Sequence, residues 1–331
     1  MIKQSQFQQQ HQLTWDDCDD LLNRLDAFKK AKRPDAGELI KLPDLYSDLC
    51  QQLAIAQSRC YSPGLIEYLH NLTLRTHDHL YRREFRLGNK ILSFLTTDFP
   101  HTLRTHARMF TLSCLMFFGT MFVIGVLCYV YPDLIYSIMD DEQIAQMEYM
   151  YNPAQGHVLG RSQQHEATSR VLMFGFYIRN NTGIGFQTFA GGMLAGVGTA
   201  FFLIYNGLIL GAVSGYLTQL GYGTPFWSFV SGHSAFELTA IAISGCAGLL
   251  LAQAILLPGN LTRREALRIQ AHSAVILISG AALLFLAAAA VEGFWSPTAG
   301  IPEQVKYAVG TVLWVLLIAY LVFSGRNYHA N

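Results

Sequence analysis

His233 and Glu237 stand four residues apart in an apolar stretch, Gly232-His233-Ser234-Ala235-Phe236-Glu237. On a helix that spacing puts both on one face, so the imidazole and the carboxylate can pair with each other or share one metal ion. A metal would need a third donor, for which His272 and Glu292 are the candidates. The plainer reading is a structural hydrogen-bonded pair near a membrane surface. Asn206 and Glu292 are further polar groups set among apolar residues. With the pair they make up a candidate buried polar cluster of Asn206, His233, Glu237 and Glu292. An ionisable group in hydrocarbon costs on the order of 3 kcal/mol on insertion scales, so each is expected to face a partner or a water-filled cavity.

Nucleophilic and metalloprotease chemistry find little support. Ser214, in Gly211-Ala212-Val213-Ser214-Gly215, lies one residue out of step with the serine motif of rhomboid proteases, Ser231 lies beside the His233 pair, and HExxH spacing is absent. No catalytic residue and no cofactor are expected. The glycines have a simpler use. Gly207, Gly211 and Gly215 recur every four residues on one helix face, and Gly192 and Gly196 repeat that spacing one segment earlier. Small residues so placed let helix backbones approach closely. They predict a helix-packing or oligomer interface, with a partner helix from the same chain or from another copy.

Those residues need elements to hold them, and the composition says which. The chain has 331 residues, 51% hydrophobic and only 14% charged, where soluble domains carry about 25% charge. Fifteen Lys and Arg residues lie between Lys3 and Arg108, and none between Asn180 and Thr262. A net charge of zero thus hides a basic polar front and an uncharged apolar back, which argues for a lipid bilayer and against nucleic acid as the main partner. The N-terminus has no apolar stretch of signal-peptide type, so no secretory signal is expected. Six cysteines without CxxC spacing read as small buried hydrophobes.

The front, residues 1–108, is read as a cytoplasmic helical bundle. A first helix is expected from a Thr14 cap to Lys29–Arg33, a second over Leu42 to Arg59 with an apolar stripe at Leu42, Leu45, Leu49, Leu53 and Ala56, and a third from Pro63. At its end, Arg82, Arg83, Arg86, Phe94, Phe99 and Arg104 alternate basic and aromatic character. That suits either a helix in the headgroup plane or a fourth bundle helix leading into the membrane.

Residues 109–331 are read as a transmembrane helical domain. Met109 to Tyr131 is 23 residues without a charge, enough to cross a hydrocarbon core of about 30 Å. An acidic polar loop, about 133–170, follows and is expected outside the cell by the positive-inside rule. Val171 to Phe186, with Arg179, is read as a second interfacial helix. Further apolar stretches cover about Gln187 to Leu217, Phe226 to Leu257, Leu267 to Val291 and Val305 to Phe323, giving about five spans. Five simple spans conflict with charge, because Arg263, Arg264 and Arg268 would then lie outside. A broken or re-entrant segment between Gln187 and Leu257, where both stretches are overlong and glycine-rich, would remove the conflict. The fold class is therefore all-α, a helical bundle followed by a polytopic membrane domain.

The back carries the blocks Asn180-Asn181, Phe189-Ala190-Gly191-Gly192, Gly196-Val197-Gly198-Thr199, Asn206-Gly207, Gly232-His233 with Glu237-Leu238, Gly248-Leu249, Pro258-Gly259, and Glu292-Gly293-Phe294 with Pro297. In this order the blocks are similar to those of the stage II sporulation protein M family of bacterial membrane proteins. In the front Trp15, Leu45-Tyr46-Ser47-Asp48-Leu49 and Tyr68-Leu69-His70-Asn71-Leu72 are taken to extend the similarity over nearly the whole chain. Thr239 stands where family members commonly have proline. The resemblance implies a non-enzymatic scaffold or membrane-remodelling protein in the bacterial inner membrane. It would assemble with itself, as a dimer or higher oligomer, or with cell-wall-remodelling partners and a MoxR-type AAA+ ATPase system. It offers no catalytic residue. The other function the residues allow is a transporter or channel with a polar path at Asn206, His233, Glu237 and Glu292.

Overall fold

The computed structural model describes residues 3–26, 42–81, 87–155, 166–298 and 300–326, and among these no strand occurs. Two compact units divide the chain, Met1–Leu87 and Gly88–Asn331. The division falls ahead of position 108 because Phe94, Phe99 and Leu103 pack into the core of the second unit.

The first unit is built from α1 (Gln4–Asp26), α2 (Leu42–Ser58) and α3 (Pro63–Tyr81). α1 begins ten residues before the Thr14 cap expected, since Phe7 belongs to the buried stripe with Trp15, Cys18 and Leu22. The basic residues expected in its last turn lie outside the described residues. Leu49 and Ala56 of α2 and Leu65, Leu69 and Leu72 of α3 close the core. Trp15 is fully buried, and its indole N–H donates to Gln52 Oε1 at 2.6 Å, so the one polar atom of the ring is satisfied. Burial raises the Cys18 thiol above its ordinary pKa, against a hydrogen bond with Thr76.

In the second unit α4 (Leu87–Ser93) leads through a wide π turn, Phe94–Asp98, into α5 (Phe99–Thr105). Long helices follow: α6 (Ala107–Val130), α8 (Glu166–Ala190), α9 (Val197–Gln219), α11 (Ser234–Leu256), α12 (Arg263–Ala290) and α13 (Glu303–Phe323). Two short helices lie between them, α7 (Asp141–Tyr151) and α10 (Gly223–Val230). Five of the long helices, all but α8, are long and apolar enough to cross a membrane. Their outer faces expose Phe122, Val126, Leu283, Val315 and Ile318, as surfaces meeting acyl chains do. α11 is the central helix, with 83% of its most apolar window buried by the others.

Directions follow from the close contacts. A side chain on Gly207, Gly211 or Gly215 would run into backbone at Phe117, Met121 and Gly125 in turn, so α9 runs parallel to α6. Two parallel neighbours require the chain to return between them, and α8 makes that return. Gly185 lies against Ser244, and the Thr188 carbonyl lies beside Gly248, so α8 runs with α11. α11 opposes α9, with Leu203 beside Gly245 and Thr199 beside Gly248. α12 opposes α8, through Phe174 on Gly293 and Phe285 on Gly185. α13 runs with α11, through Ser231 on Gly310 and a Trp314 hydrogen bond to Ser234. Thus α6, α9 and α12 point one way and α8, α11 and α13 the other. The starts of α6 and α12, with Arg108 and with Arg263, Arg264 and Arg268, therefore share one end of the bundle, and the charge conflict disappears.

The overlong stretches are both broken, as their glycine content suggested. α8 ends in a short 3-10 turn, Gly191–Met193, and Gly196 turns the chain at φ +85°, a left-handed conformation costly for other residues. The Thr199 hydroxyl ties across this break to the Thr188 carbonyl at 2.7 Å. The second break separates α10 from α11 at residues 231–233. The stretch Val171 to Phe186, read as a surface helix, is the middle of α8 and lies along α11 and α12. Of the acidic loop, residues 156–165 lie outside the described residues, and Asp141–Tyr151 form α7. Asp140 caps α7 by accepting from the Gln143 N–H at 2.8 Å, Ile144 is buried with Tyr216 and Phe226, and Glu148 accepts from the Tyr216 hydroxyl.

Candidate functional site

Three elements deliver the polar centre. The break after α10 leaves His233 as the N-cap of α11, and Glu237 follows one turn on. Glu292 arrives from the other side, in a π turn, Val291–Trp295, that continues α12. Such one-turn widenings are frequent at functional sites because they re-aim a side chain that regular helix would point elsewhere. His233 is 5% exposed and Glu292 8%. One donor atom from each of His233, Glu237 and Glu292 lies within 4.8 Å of the others. His233 Nε2 is 3.7 Å from Glu237 Oε2. Its Nδ1 is 3.3 Å from the Ser296 hydroxyl, and the Asn181 side-chain amide donates to Glu292 Oε2 at 3.4 Å.

A cavity of about 480 Å³ opens on this group. Its walls include Phe118 and Met121 from the middle of α6, Ile209, Leu210, Val213 and Ser214 of α9, Tyr151 of α7 and Trp314 of α13. The polar centre therefore lies level with the middle of the first span. Tyr151, outside the spans, is pushed up to about 12 by burial and by Glu292, so it stays a neutral hydroxyl.

The sequence expectations separate here. His233, Glu237 and Glu292 come together, and Glu292 takes the third position. His272 does not, being exposed on α12. Asn206 does not either: its side-chain amide donates to the Phe202 carbonyl one turn back, at 2.7 Å, and it lies outside the cavity wall. An amide can satisfy itself on its own helix, which a carboxylate, having no donor, cannot. Ser214 donates to the Gly211 carbonyl at 2.9 Å and Ser231 to the Ser228 carbonyl at 3.3 Å, while His233 faces Ser296. The glycines at 207, 211 and 215 meet α6 of the same chain, Gly192 meets the Gly248 backbone and Gly196 the Ala252 methyl. Their close approach is used within the fold.

The expected membrane-interface residues also divide. Arg82, Arg83 and Arg86 lie outside the described residues. Phe99 is 1% exposed against Gly280, and Phe94, half-buried, stacks on it, so both pack on the core of the second unit. Arg104 donates to the Leu321 carbonyl at 2.7 Å, a cation at the C-terminal end of α13. Arg179 is exposed on α8. Sequence reasoning missed Asn181 and Ser296 as members of the centre. Asn181 had a signal, a polar pair interrupting an apolar helix; Ser296 had none.

A helical bundle of long apolar helices around a small polar centre defines a multi-pass membrane protein. The family model of stage II sporulation protein M matches residues 111–297, more than half of the chain, and the chain belongs to that family. The front, expected to share that similarity, is matched separately, over residues 5–82, by a domain of unknown function (DUF8413). No curated protein and no solved structure matched the chain. The family is not known as a catalytic one.

Proposed function

We propose that this protein is a non-catalytic assembly protein of the bacterial inner membrane, in which the membrane unit associates with another copy or a partner and the helical front is presented in the cytoplasm. The observation that carries this reading is Arg179. It is exposed on α8, two residues from Asn181, which reaches the polar centre at the level of mid-span. Among the described residues nothing pairs with it. An arginine facing acyl chains at that depth costs roughly 3 kcal/mol or more, so a polar protein surface covering this face of α8 relieves a penalty. In this reading α8 is the sixth crossing, too polar for a hydropathy criterion because one face meets protein and the other the cluster. The basic end with Arg108, Arg263, Arg264 and Arg268 is then cytoplasmic, and the scaffold or membrane-remodelling role follows the family.

Reconstitution in nanodiscs and liposomes tests it. The intact protein is expected as a dimer or higher oligomer, or with a co-purifying membrane partner, and Arg179→Ala to weaken that association at least tenfold. A protein that stays monomeric, captures no membrane partner and leaves vesicle shape unchanged removes the reading.

A second reading is supported by the cavity: a transporter or channel whose polar path ends on His233, Glu237 and Glu292, between broken helices as in many secondary transporters. It expects solute flux into liposomes that His233→Ala abolishes.

A further inference from the structure

The side chains at the floor of the cavity carry an inference independent of both readings. We propose that His233, Glu237 and Glu292 form a binding site for one divalent first-row transition metal ion, with zinc as the representative member.

The chemistry of the donors comes first. One imidazole nitrogen and two carboxylates are a mixed nitrogen and oxygen set, which suits zinc and its first-row neighbours; magnesium and calcium take oxygen alone. Three protein ligands and an open position are the pattern of a metal site reached from a cavity, and here the cavity opens on all three residues. Ligand atoms about 2.1 Å from one tetrahedral ion lie about 3.4 Å apart. The present separations, up to 4.8 Å, reach that when side-chain rotations bring the donors together by roughly 1.4 Å.

The surrounding hydrogen bonds point the same way. A metal-binding histidine usually gives its other ring nitrogen to a hydrogen-bond acceptor, which fixes the tautomer and aims the free lone pair. Ser296 stands 3.3 Å from Nδ1, leaving Nε2, the nitrogen facing Glu237, for an ion. Asn181 holds Glu292 by one oxygen. Charge balance supplies the remaining argument. Two carboxylates and an imidazole sit at membrane depth, and among the described residues no lysine or arginine pairs with either carboxylate. A divalent cation neutralises both at once, whereas the hydrogen bonds present neutralise neither.

The test uses the full-length protein in nanodiscs. Chelator-treated protein is titrated with zinc alone and, separately, with cobalt, whose visible absorption reports its ligands. The expected result is about one ion bound per chain, cobalt bands of a nitrogen and oxygen site, and no displacement by a hundredfold excess of magnesium. Glu237→Gln and Glu292→Gln, close in size to the originals, are each expected to remove binding. Ser296→Ala should weaken it about tenfold or more, as loss of the group that orients a ligand does. Asn206→Ala should leave it unchanged. Elution and thermal unfolding certify that each variant is folded, and zinc should raise the unfolding temperature of the wild type and Asn206→Ala, that of Ser296→Ala by less, and that of the glutamine variants not at all. The proposal is overturned if the wild type binds no more zinc than a folded Glu237→Gln/Glu292→Gln protein, in which case the carboxylates hold protons only. It is equally overturned if His233→Asn binds zinc as the wild type does. Because binding is read without oligomerisation or flux, its failure is distinct from failure of the assembly reading.

Discussion

The two units solve the same problem, packing helices, with different materials. In the first unit large side chains do it: Trp15, Leu22, Leu49 and Leu69 fill the space between three helices that water would otherwise enter. In the second unit large side chains such as Phe117, Phe285 and Leu250 fill the core as well, but at the contact of α6 with α9 glycine does it: the backbones touch at three successive turns, with no side chain between them. Removing apolar surface from water drives the first arrangement. Lipid tails are as apolar as leucine, so the second relies on close van der Waals approach and on satisfied polar groups. The difference teaches where each is vulnerable, to loss of volume in the first core and to gain of volume at the α6–α9 contact of the second unit.

Trp15→Ala is the sharpest probe of the contrast. It leaves a large cavity and strands the Gln52 Oε1 atom, and a cost of about 3–5 kcal/mol is expected. Limited proteolysis should then cut the first unit while the second stays protected. Were both units lost together, their separate cores would not be separately stable.

Gly211→Ala tests the opposite vulnerability. One methyl group directed at the Met121 carbonyl forces α6 and α9 apart, for an expected loss of about 1–3 kcal/mol, read as a lower unfolding temperature in nanodiscs. Gly119→Ala is the control, because nothing lies within 4 Å of its added carbon. It should be neutral or slightly stabilising, since alanine favours helix by up to about 1 kcal/mol. Equal effects at the two positions would contradict the backbone-contact account.

Thr262→Ala removes a helix cap shared by neither mode of packing. Thr262 accepts from the Glu265 N–H while Glu265 accepts from the Thr262 N–H, a reciprocal capping box at the start of α12. About 1 kcal/mol is expected, measured by thermal unfolding. Arg75→Met, which breaks the pair with Asp19 in the first unit, should have the smallest effect. Both partners are about a third exposed, so water screens the pair, and about 0.2–1 kcal/mol is expected from denaturant unfolding of the first unit. A larger effect would mean that Arg75 also matters through its hydrogen bond to Asn23.

Much of this molecule is legible residue by residue because the information is local. A run of 23 uncharged residues is a span wherever it is placed, the stripe at Leu42, Leu49 and Ala56 buries one helix face, and four-residue glycine spacing declares a backbone contact. His233 and Glu237 share a face by spacing alone, and the concentration of basic residues before Arg108 marks one end of the bundle. What the contacts alone decided is non-local. That Glu292, 55 residues beyond Glu237 in sequence, joins that pair depends on α11 and α12 running in opposite directions and on a π turn that no pattern announces. That Asn206 stands apart depends on a carbonyl one turn back. That the glycine ridge meets α6, and that α8 must return between two parallel helices, depends on which neighbour each face finds. Periodicity tells a helix which face to bury, but only the packed chain tells it against what.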